Sequence, residues 1–232
     1  KLGFTQSYTY VTWRNSKADL TEYFTELTQT NIGEFFRPNL WPNTPDILAG
    51  PLQSGARPAF VARLVLAATL GASYGIYGPA FEALEHTPRE PGSEEYLDSE
   101  KYQLRHWNLD QPGGLREVIT AVNRARRENP ALQHDAGLRF HPTDNDQILC
   151  YSKHDKEHKN LVVMVVNLTF QELQRGFIDL SALAGQYGLE GTFQVQDVLT
   201  LKIFDWHGPR NFVELDPVDA VAHVFRVRPA IA

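Results

Sequence analysis

The spacing of apolar residues changes beyond the midpoint of this 232-residue chain. Over residues 4–129, short apolar runs alternate with segments of helical spacing, which is typical of a parallel α/β arrangement. From Leu138 onward only short alternating runs separated by turns remain, which predicts an antiparallel β-sandwich without helices. We therefore predict two regions, 1–135 and 136–232.

The first region is predicted to contain three strands and three helices. Residues 16–19 resemble a capping box that opens the first helix, and Pro58 opens a second helix that is apolar nearly all round and therefore buried. The third helix spans about 115–129. The predicted strands cover 4–13, 35–41 and 71–78; the last is rich in glycine, so its backbone should pass close to another group.

A long polar loop is predicted at about 79–112, where Glu94, Glu95, Asp98, Glu100 and Lys101 occur. Loops of this length in compact domains are usually functional or disordered. In the second region, residues 161–168 read Leu-Val-Val-Met-Val-Val-Asn-Leu and predict its most buried strand.

Charge and composition exclude several classes of function. A net charge of −6 argues against a nucleic-acid partner, which normally requires a basic surface. No apolar run reaches the roughly 18 residues of a membrane span. The single Cys150 permits no internal disulfide, which fits the cytoplasm. The chain opens at Lys1 without a leader or an initiator Met, as a fragment does.

Asp46 is the first candidate for chemistry. It follows the apolar run 34–41 through a stiff turn containing Pro42 and Pro45, and stiff loops after strands carry the chemistry of barrel enzymes. An alternative is that Thr44 is the N-cap of a helix and that Asp46 only stabilises its first turn.

Three separated blocks of sequence support a functional interpretation of Asp46. They are Tyr-Thr-Tyr-Val-Thr-Trp-Arg-Asn (8–15), Asn-Thr-Pro-Asp-Ile-Leu (43–48) and Gly-Ser-Glu-Glu-Tyr-Leu-Asp-Ser-Glu-Lys-Tyr (92–102). With them the chain resembles the C-terminal portion of α-1,4-glucan:maltose-1-phosphate maltosyltransferases, of glycoside hydrolase family 13 in the α-amylase superfamily. The resemblance implies that 1–135 is the last part of a (β/α)8 TIM barrel and that 136–232 is the C-terminal β-domain.

The resemblance also implies an activity. These enzymes move maltosyl from α-maltose 1-phosphate to the non-reducing end of α-1,4-glucans with retention, and the full-length enzyme forms a homodimer. Asp46 would stabilise the transition state, whereas Lys101 and Tyr102 would bind the donor. The nucleophile and the acid/base lie upstream of this chain, so we expect it to be inactive alone. We expect no organic cofactor and no metal; His154 and His158, four residues apart, lie in a polar turn.

Two departures from the family pattern affect this interpretation. Pro45 stands where the wider amylase group usually has His, which disfavours ordinary amylase activity. Leu201 stands in a turn where the family usually has Gly, although leucine resists a positive φ angle. Two alternatives stay open: another family-13 glycosidase or branching enzyme, and a non-catalytic glucan-binding module that uses exposed aromatic residues such as Trp206.

Overall fold

The computed structural model describes residue 4 and residues 6–9, 11–110 and 112–228. The opening residue Lys1, and Tyr10 of the first sequence block, lie outside the described residues.

Three short parallel strands form the sheet of the first region in the described part of the chain. They are β1 (Ser7–Tyr8), β2 (Pro38–Leu40) and β3 (Ser73–Tyr74), in the order β1-β2-β3. The strand predicted over 4–13 is wrong beyond β1, because Val11–Trp13 form a turn of 3-10 helix. Another 3-10 turn, Asn31–Glu34, precedes β2.

The three predicted helices are confirmed as α1 (Lys17–Gln29), α3 (Arg57–Leu70) and α5 (Arg116–Glu128). Ser16 caps α1 by accepting a hydrogen bond from the Asp19 amide at 3.1 Å. Every residue of α3 from Ala59 to Leu70 is buried, as its apolar composition predicted. Two short helices were missed: α2 (Gly50–Gln53) and α4 (Gly78–Glu82). The long loop therefore begins after α4 and not at residue 79.

Arg63 ties the middle of α3 to the segment after β1. Its side chain is 1% exposed, and its guanidinium donates to the carbonyl oxygens of Val11 and Arg14 at 2.6 and 2.8 Å. Burial lowers the Arg63 pKa to about 10. Because buried charge is tolerated only with good partners, these bonds fix where the first segment lies.

Close approach between backbone and side chain explains the glycines near β3. A Cβ atom at Gly75 would lie 2.5 Å from the ring of Trp41, and one at Gly71 would lie 3.0 Å from Leu40. The predicted close passage of this backbone is confirmed, and the close partners belong to β2 and the residue after it.

The second region is built from antiparallel strands, as predicted. In the described residues one sheet has six strands in the order β4-β5-β6-β11-β8-β9, and β7 pairs with β10 in a second sheet. The strands are β4 (Arg139–His141), β5 (Ile148–His154), β6 (Leu161–Asn167), β7 (Gln174–Asp179), β8 (Thr192–Asp197), β9 (Ile203–His207), β10 (Arg210–Leu215) and β11 (Ala222–Arg228). All seven residues of β6 are buried, which confirms the prediction for this strand.

The prediction that no helix follows Leu138 is wrong. Helix α6 (Ser181–Tyr187) buries Leu183 and Ala184 and ends at Gly188, whose φ of 64° is left-handed. It has about two turns, too short to show a clear apolar period in the sequence.

The two faces of the six-stranded sheet pack against different partners. Leu149 and Tyr151 of β5 belong to the apolar cluster that includes α3, and Tyr151 Oη lies 2.6 Å from Thr69 Oγ1. Ile148 and Cys150 belong to a second cluster, with residues of β7, β10 and α6. The two regions therefore share one core. The boundary near 135 stays a prediction, since nothing here divides the chain there.

Lys153 lies on the face of β5 that points to the first region, because alternate residues of a strand share a face. Its side chain is fully buried, and Nζ has no hydrogen-bond partner among the described residues. Burial lowers the Lys153 pKa to about 7, with Asp135 and Arg126 as the nearby charges.

Among the described residues, we find no helix with the length and apolar character that a membrane span requires.

Candidate functional site

Asn43 fixes the turn that follows β2. Its side chain is fully buried; Oδ1 accepts a hydrogen bond from the Tyr77 amide at 3.0 Å, and Nδ2 donates to the Tyr96 hydroxyl at 2.8 Å. The turn after β2 is thus tied to the start of α4 and to the long loop. Asn43 belongs to the 43–48 block of family-like sequence, but the sequence analysis did not predict that its side chain would connect the turn to α4 and the long loop.

Asp46 lies in a tight turn and not in a helix. The backbones of Thr44 and Ile47 exchange hydrogen bonds of 3.1 and 3.2 Å, and Thr44 Oγ1 accepts from the Asp46 amide at 3.2 Å. The next helix, α2, begins only at Gly50. The alternative in which Thr44 caps a helix is therefore wrong, and the turn leaves the Asp46 side chain 62% exposed.

Lys101 lies against Asp46, although 55 residues separate them in sequence. Its ammonium donates a hydrogen bond to Asp46 Oδ1, and this bond raises the Lys101 pKa. Glu95 Oε1 is 3.8 Å from the same ammonium, and Glu95 in turn accepts from Arg89 at 3.0 Å. Charges of opposite sign thus alternate from Asp46 in the turn to Lys101, Glu95 and Arg89 in the long loop.

Tyr102 completes the set predicted from the sequence. It is 70% exposed, and Lys101 Nζ lies 5.2 Å from the centre of its ring. The structure therefore places Asp46, Lys101 and Tyr102 together at one surface. Ion pairs that water can reach are weak, and the Asp46 side chain is largely exposed, so a ligand can displace Lys101 from Asp46 at little cost.

Side-chain contacts hold the long loop over the Asp46 turn. Trp13 Nε1 donates to both carboxylate oxygens of Glu94, at 3.0 and 2.9 Å. Glu100 accepts from the Tyr77 hydroxyl at 2.9 Å and from Trp107 Nε1 at 3.1 Å. Glu94 and Glu100 would be expected to face solvent from the sequence alone, but their hydrogen bonds hold the long loop in place. The spacing of residues in a single sequence does not indicate which distant residues they contact.

The described residues contain no group of three or more His, Cys, Asp or Glu side chains arranged to hold a metal ion. The rings of His154 and His158 lie 4.3 Å apart, and His158 Nδ1 is 3.1 Å from the Tyr187 hydroxyl.

Comparison with known families gives a match in the second region. Residues 140–227 match the family described as GLGE, C-terminal. This range covers strands β5 to β10 and helix α6 completely, and all but one residue of β4 and of β11.

Curated relatives at 42–48% identity confirm the resemblance read from the sequence. The α-1,4-glucan:maltose-1-phosphate maltosyltransferases of Chlorobaculum tepidum and Methylacidiphilum infernorum are 48% and 45% identical, over 98% of this chain in each case. The chain spans 35% and 34% of their lengths, about a third.

Solved structures of the α-amylase family share the fold. The α-amylase of Geobacillus thermoleovorans, complexed with acarbose, superposes with a TM-score of 0.58 at 15% identity. The match covers 96% of this chain and 47% of that enzyme.

Proposed function

We propose that this chain is the C-terminal part of a retaining maltosyltransferase, which transfers maltosyl from α-maltose 1-phosphate to the non-reducing end of an α-1,4-glucan. The observation that carries the proposal is the contact between Lys101 and Asp46, two residues from separate blocks of the family-like sequence. Homology along 98% of the chain supports the same activity. A cytoplasmic location and a homodimer of the full-length enzyme belong to this proposal.

The first region is proposed to be the last three strand–helix units of a (β/α)8 barrel. Each strand of its sheet is followed by helices, and all described pairs are parallel. Within the described residues β1 and β3 each pair on one side only, and Tyr8 on β1 is 66% exposed. Preceding barrel strands would cover such edges, since eight strands close a barrel.

Asp46 is proposed to stabilise the positive charge that develops at the anomeric carbon of the donor. Retaining transfer needs a carboxylate nucleophile, a carboxylic acid/base and stabilisation of an oxocarbenium-like transition state. The exposed carboxylate of Asp46, held by a rigid turn, suits the third role, because a preorganised charge costs no reorganisation during the reaction. The nucleophile and the acid/base would come from the preceding part of the barrel, so the chain alone should not turn over.

Lys101 and Tyr102 are proposed to bind the donor. The ammonium has three N–H donors for sugar hydroxyls, and its raised pKa keeps it protonated. The exposed ring of Tyr102 offers a flat face and a hydroxyl to a sugar. Because the ion pair with Asp46 is weak, Lys101 can exchange the carboxylate for a substrate hydroxyl.

A chimeric enzyme tests the proposal. The matching third of the Chlorobaculum tepidum relative is replaced by this chain, and phosphate release from α-maltose 1-phosphate is measured with glycogen as acceptor. We expect release only when both substrates are present, and we expect Asp46→Asn to lower kcat by about 10²–10³-fold.

Asp98→Asn is the matched control in the same assay, because it makes the same chemical change elsewhere in the long loop. Its φ of 52° suits asparagine as well as aspartate, so activity should stay within about twofold. Full activity in the Asp46→Asn chimera would refute the assigned role. Release of reducing sugar without phosphate would favour a family-13 glycosidase instead.

A further inference from the structure

The Lys101 ammonium lies between two carboxylates, and Asp46 is only one of them. It donates to Asp46 Oδ1 and lies 3.8 Å from Glu95 Oε1. The side chains of Lys101 and Glu95 are both partly buried, 31% and 36% exposed. An ammonium has three N–H donors, so it can serve a sugar hydroxyl and a carboxylate at the same time. The proposed function uses Asp46, Lys101 and Tyr102 but leaves Glu95 without a role.

Glu95 is held in place independently of Lys101. Arg89 Nη1 donates to Glu95 Oε2 at 3.0 Å, while Oε1 faces Lys101. The backbone is fixed as well: the Glu95 amide donates to Ser93 Oγ at 3.0 Å, and the Glu95 carbonyl oxygen accepts from the Arg89 amide at 2.8 Å. A carboxylate held in this way is available to the ammonium without reorganisation of the loop.

The backbone at Lys101 is tied to the Asp46 turn through Ser99. The Ser99 hydroxyl donates to the carbonyl oxygen of Pro45 at 3.4 Å and accepts from the Lys101 amide at 3.3 Å. Ser99 is 5% exposed, so water competes little for these bonds. The movable part of Lys101 is therefore its flexible side chain.

The contact between Lys101 and Asp46 opposes the role proposed for Asp46. A carboxylate stabilises positive charge at the anomeric carbon best when no other cation is paired with it. Lys101 must therefore leave Asp46 when the donor binds. An ammonium left without any partner would lose its fixed position, because it sits on a flexible four-carbon stem.

We propose that Glu95 is a positioning residue, which takes the Lys101 ammonium from Asp46 when the donor binds. Asp46 then faces the reacting sugar with its full charge, while Lys101 keeps a fixed place beside the donor. The proposal rests on the proposed function, because it needs Asp46 and Lys101 in the roles given there. Glu95 acts through Lys101 and does not itself have to touch the donor.

Donor kinetics of the chimeric enzyme test the role of Glu95. Without the second carboxylate Lys101 stays on Asp46 more firmly, so the donor must compete with this ion pair. Glu95→Gln should therefore raise KM for α-maltose 1-phosphate about fivefold. The value of kcat should stay within about twofold, since saturating donor still displaces the lysine. Glu90→Gln is the matched control, because Glu90 is an exposed carboxylate in the same loop, and its KM should stay within about twofold.

A double-mutant cycle separates this role from a general effect on the loop. In a Lys101→Gln chimera the further change Glu95→Gln should alter KM by less than about twofold, because the partner of Glu95 is already gone. An effect of about fivefold that persists in Lys101→Gln would show that Glu95 only supports the loop. Unchanged KM in Glu95→Gln alone would show that Glu95 has no role. Either result overturns the proposal while the proposed function stands.

Nuclear magnetic resonance of the 232-residue chain tests the transfer between carboxylates without turnover. Asp46→Ala removes the first carboxylate from Lys101, as a donor bound to Asp46 would. Nitrogen relaxation should show an ordered Lys101 ammonium in Asp46→Ala and a mobile one when Glu95→Gln is added. An ammonium that is already mobile in Asp46→Ala overturns the proposal. An ordered one together with a chimera that releases no phosphate contradicts the proposed function and supports the transfer.

Discussion

The two regions of the molecule fix the positions of their loops and strands by different means. In the first region β1, β2 and β3 have only two or three residues each, so buried side chains such as Asn43 and Arg63 determine where the loops lie. In the second region β5, β6 and β11 have seven residues each, and paired backbones hold the structure. Loops held by side chains are sensitive to single substitutions, whereas a long ladder tolerates local strain.

The largest expected effect lies where the regions meet, at Lys153. The unfolded chain binds a proton on this side chain up to about pH 10, whereas the folded chain does so only below about pH 7. The unfolded state therefore binds more protons between these values, so stability rises with pH there. Lys153→Met removes this dependence and should raise the free energy of unfolding at pH 7 by about 4 kcal/mol.

Urea unfolding followed by circular dichroism at several pH values between 7 and 10 measures the Lys153 effect. Lys159→Met is the control, because the Lys159 side chain is 77% exposed and its loss should leave the slope with pH unchanged. Parallel slopes for Lys153→Met and the unmodified chain would show that the ammonium is not buried between the regions.

Gly75→Ala tests the dependence of the first region on close contacts. The added methyl group would lie 2.5 Å from the Trp41 ring, so the ring or the backbone must move, at a cost of about 1–3 kcal/mol. The midpoint of urea unfolding should fall accordingly. Gly78→Ala is the matched control, because nothing lies within 4 Å of its added carbon. Equal midpoints for the two variants would contradict the proposed sensitivity of this region.

Leu201→Gly tests the tolerance of the second region. Leu201 adopts a φ of 63° in the turn between β8 and β9, a conformation that costs a leucine about 1–2 kcal/mol. Glycine removes this strain but has more freedom when unfolded, so we expect a gain of about 0.5–1 kcal/mol in thermal or urea unfolding. Leu104→Gly, at a 99% exposed position with no positive φ, should give no gain. A loss of stability in Leu201→Gly would mean that the leucine side chain is needed.

Much of the fold was predictable where local signals are strong. The cap at Ser16, the all-apolar α3 and the buried β6 each follow from composition over a few turns or residues. The turn of 3-10 helix at Val11–Trp13 could not be predicted from the sequence, because its aromatic and β-branched residues favour a strand. Contacts with the buried Arg63 decide its path, and sequence spacing does not report them.

The candidate site was predictable only as separate parts. Asp46, Lys101 and Tyr102 were identified by resemblance, but their meeting depends on folding of the long loop. That folding uses pairs such as Trp13 with Glu94, which are 81 residues apart. No periodicity links such positions, so a single sequence cannot supply them. The positive φ of Leu201 is the one strained feature that a departure from the family pattern indicated.

The core shared by the two regions limits how the polypeptide can be divided. If the chain were divided near residue 135, one face of the six-stranded sheet would lose its contact with helix α3. That face carries apolar side chains of β5 and β6, namely Leu149, Tyr151, Val162, Met164 and Val166. Exposed apolar strands promote aggregation, so residues 136–232 produced alone should precipitate, and a protease that nicks the join should yield two pieces that stay associated.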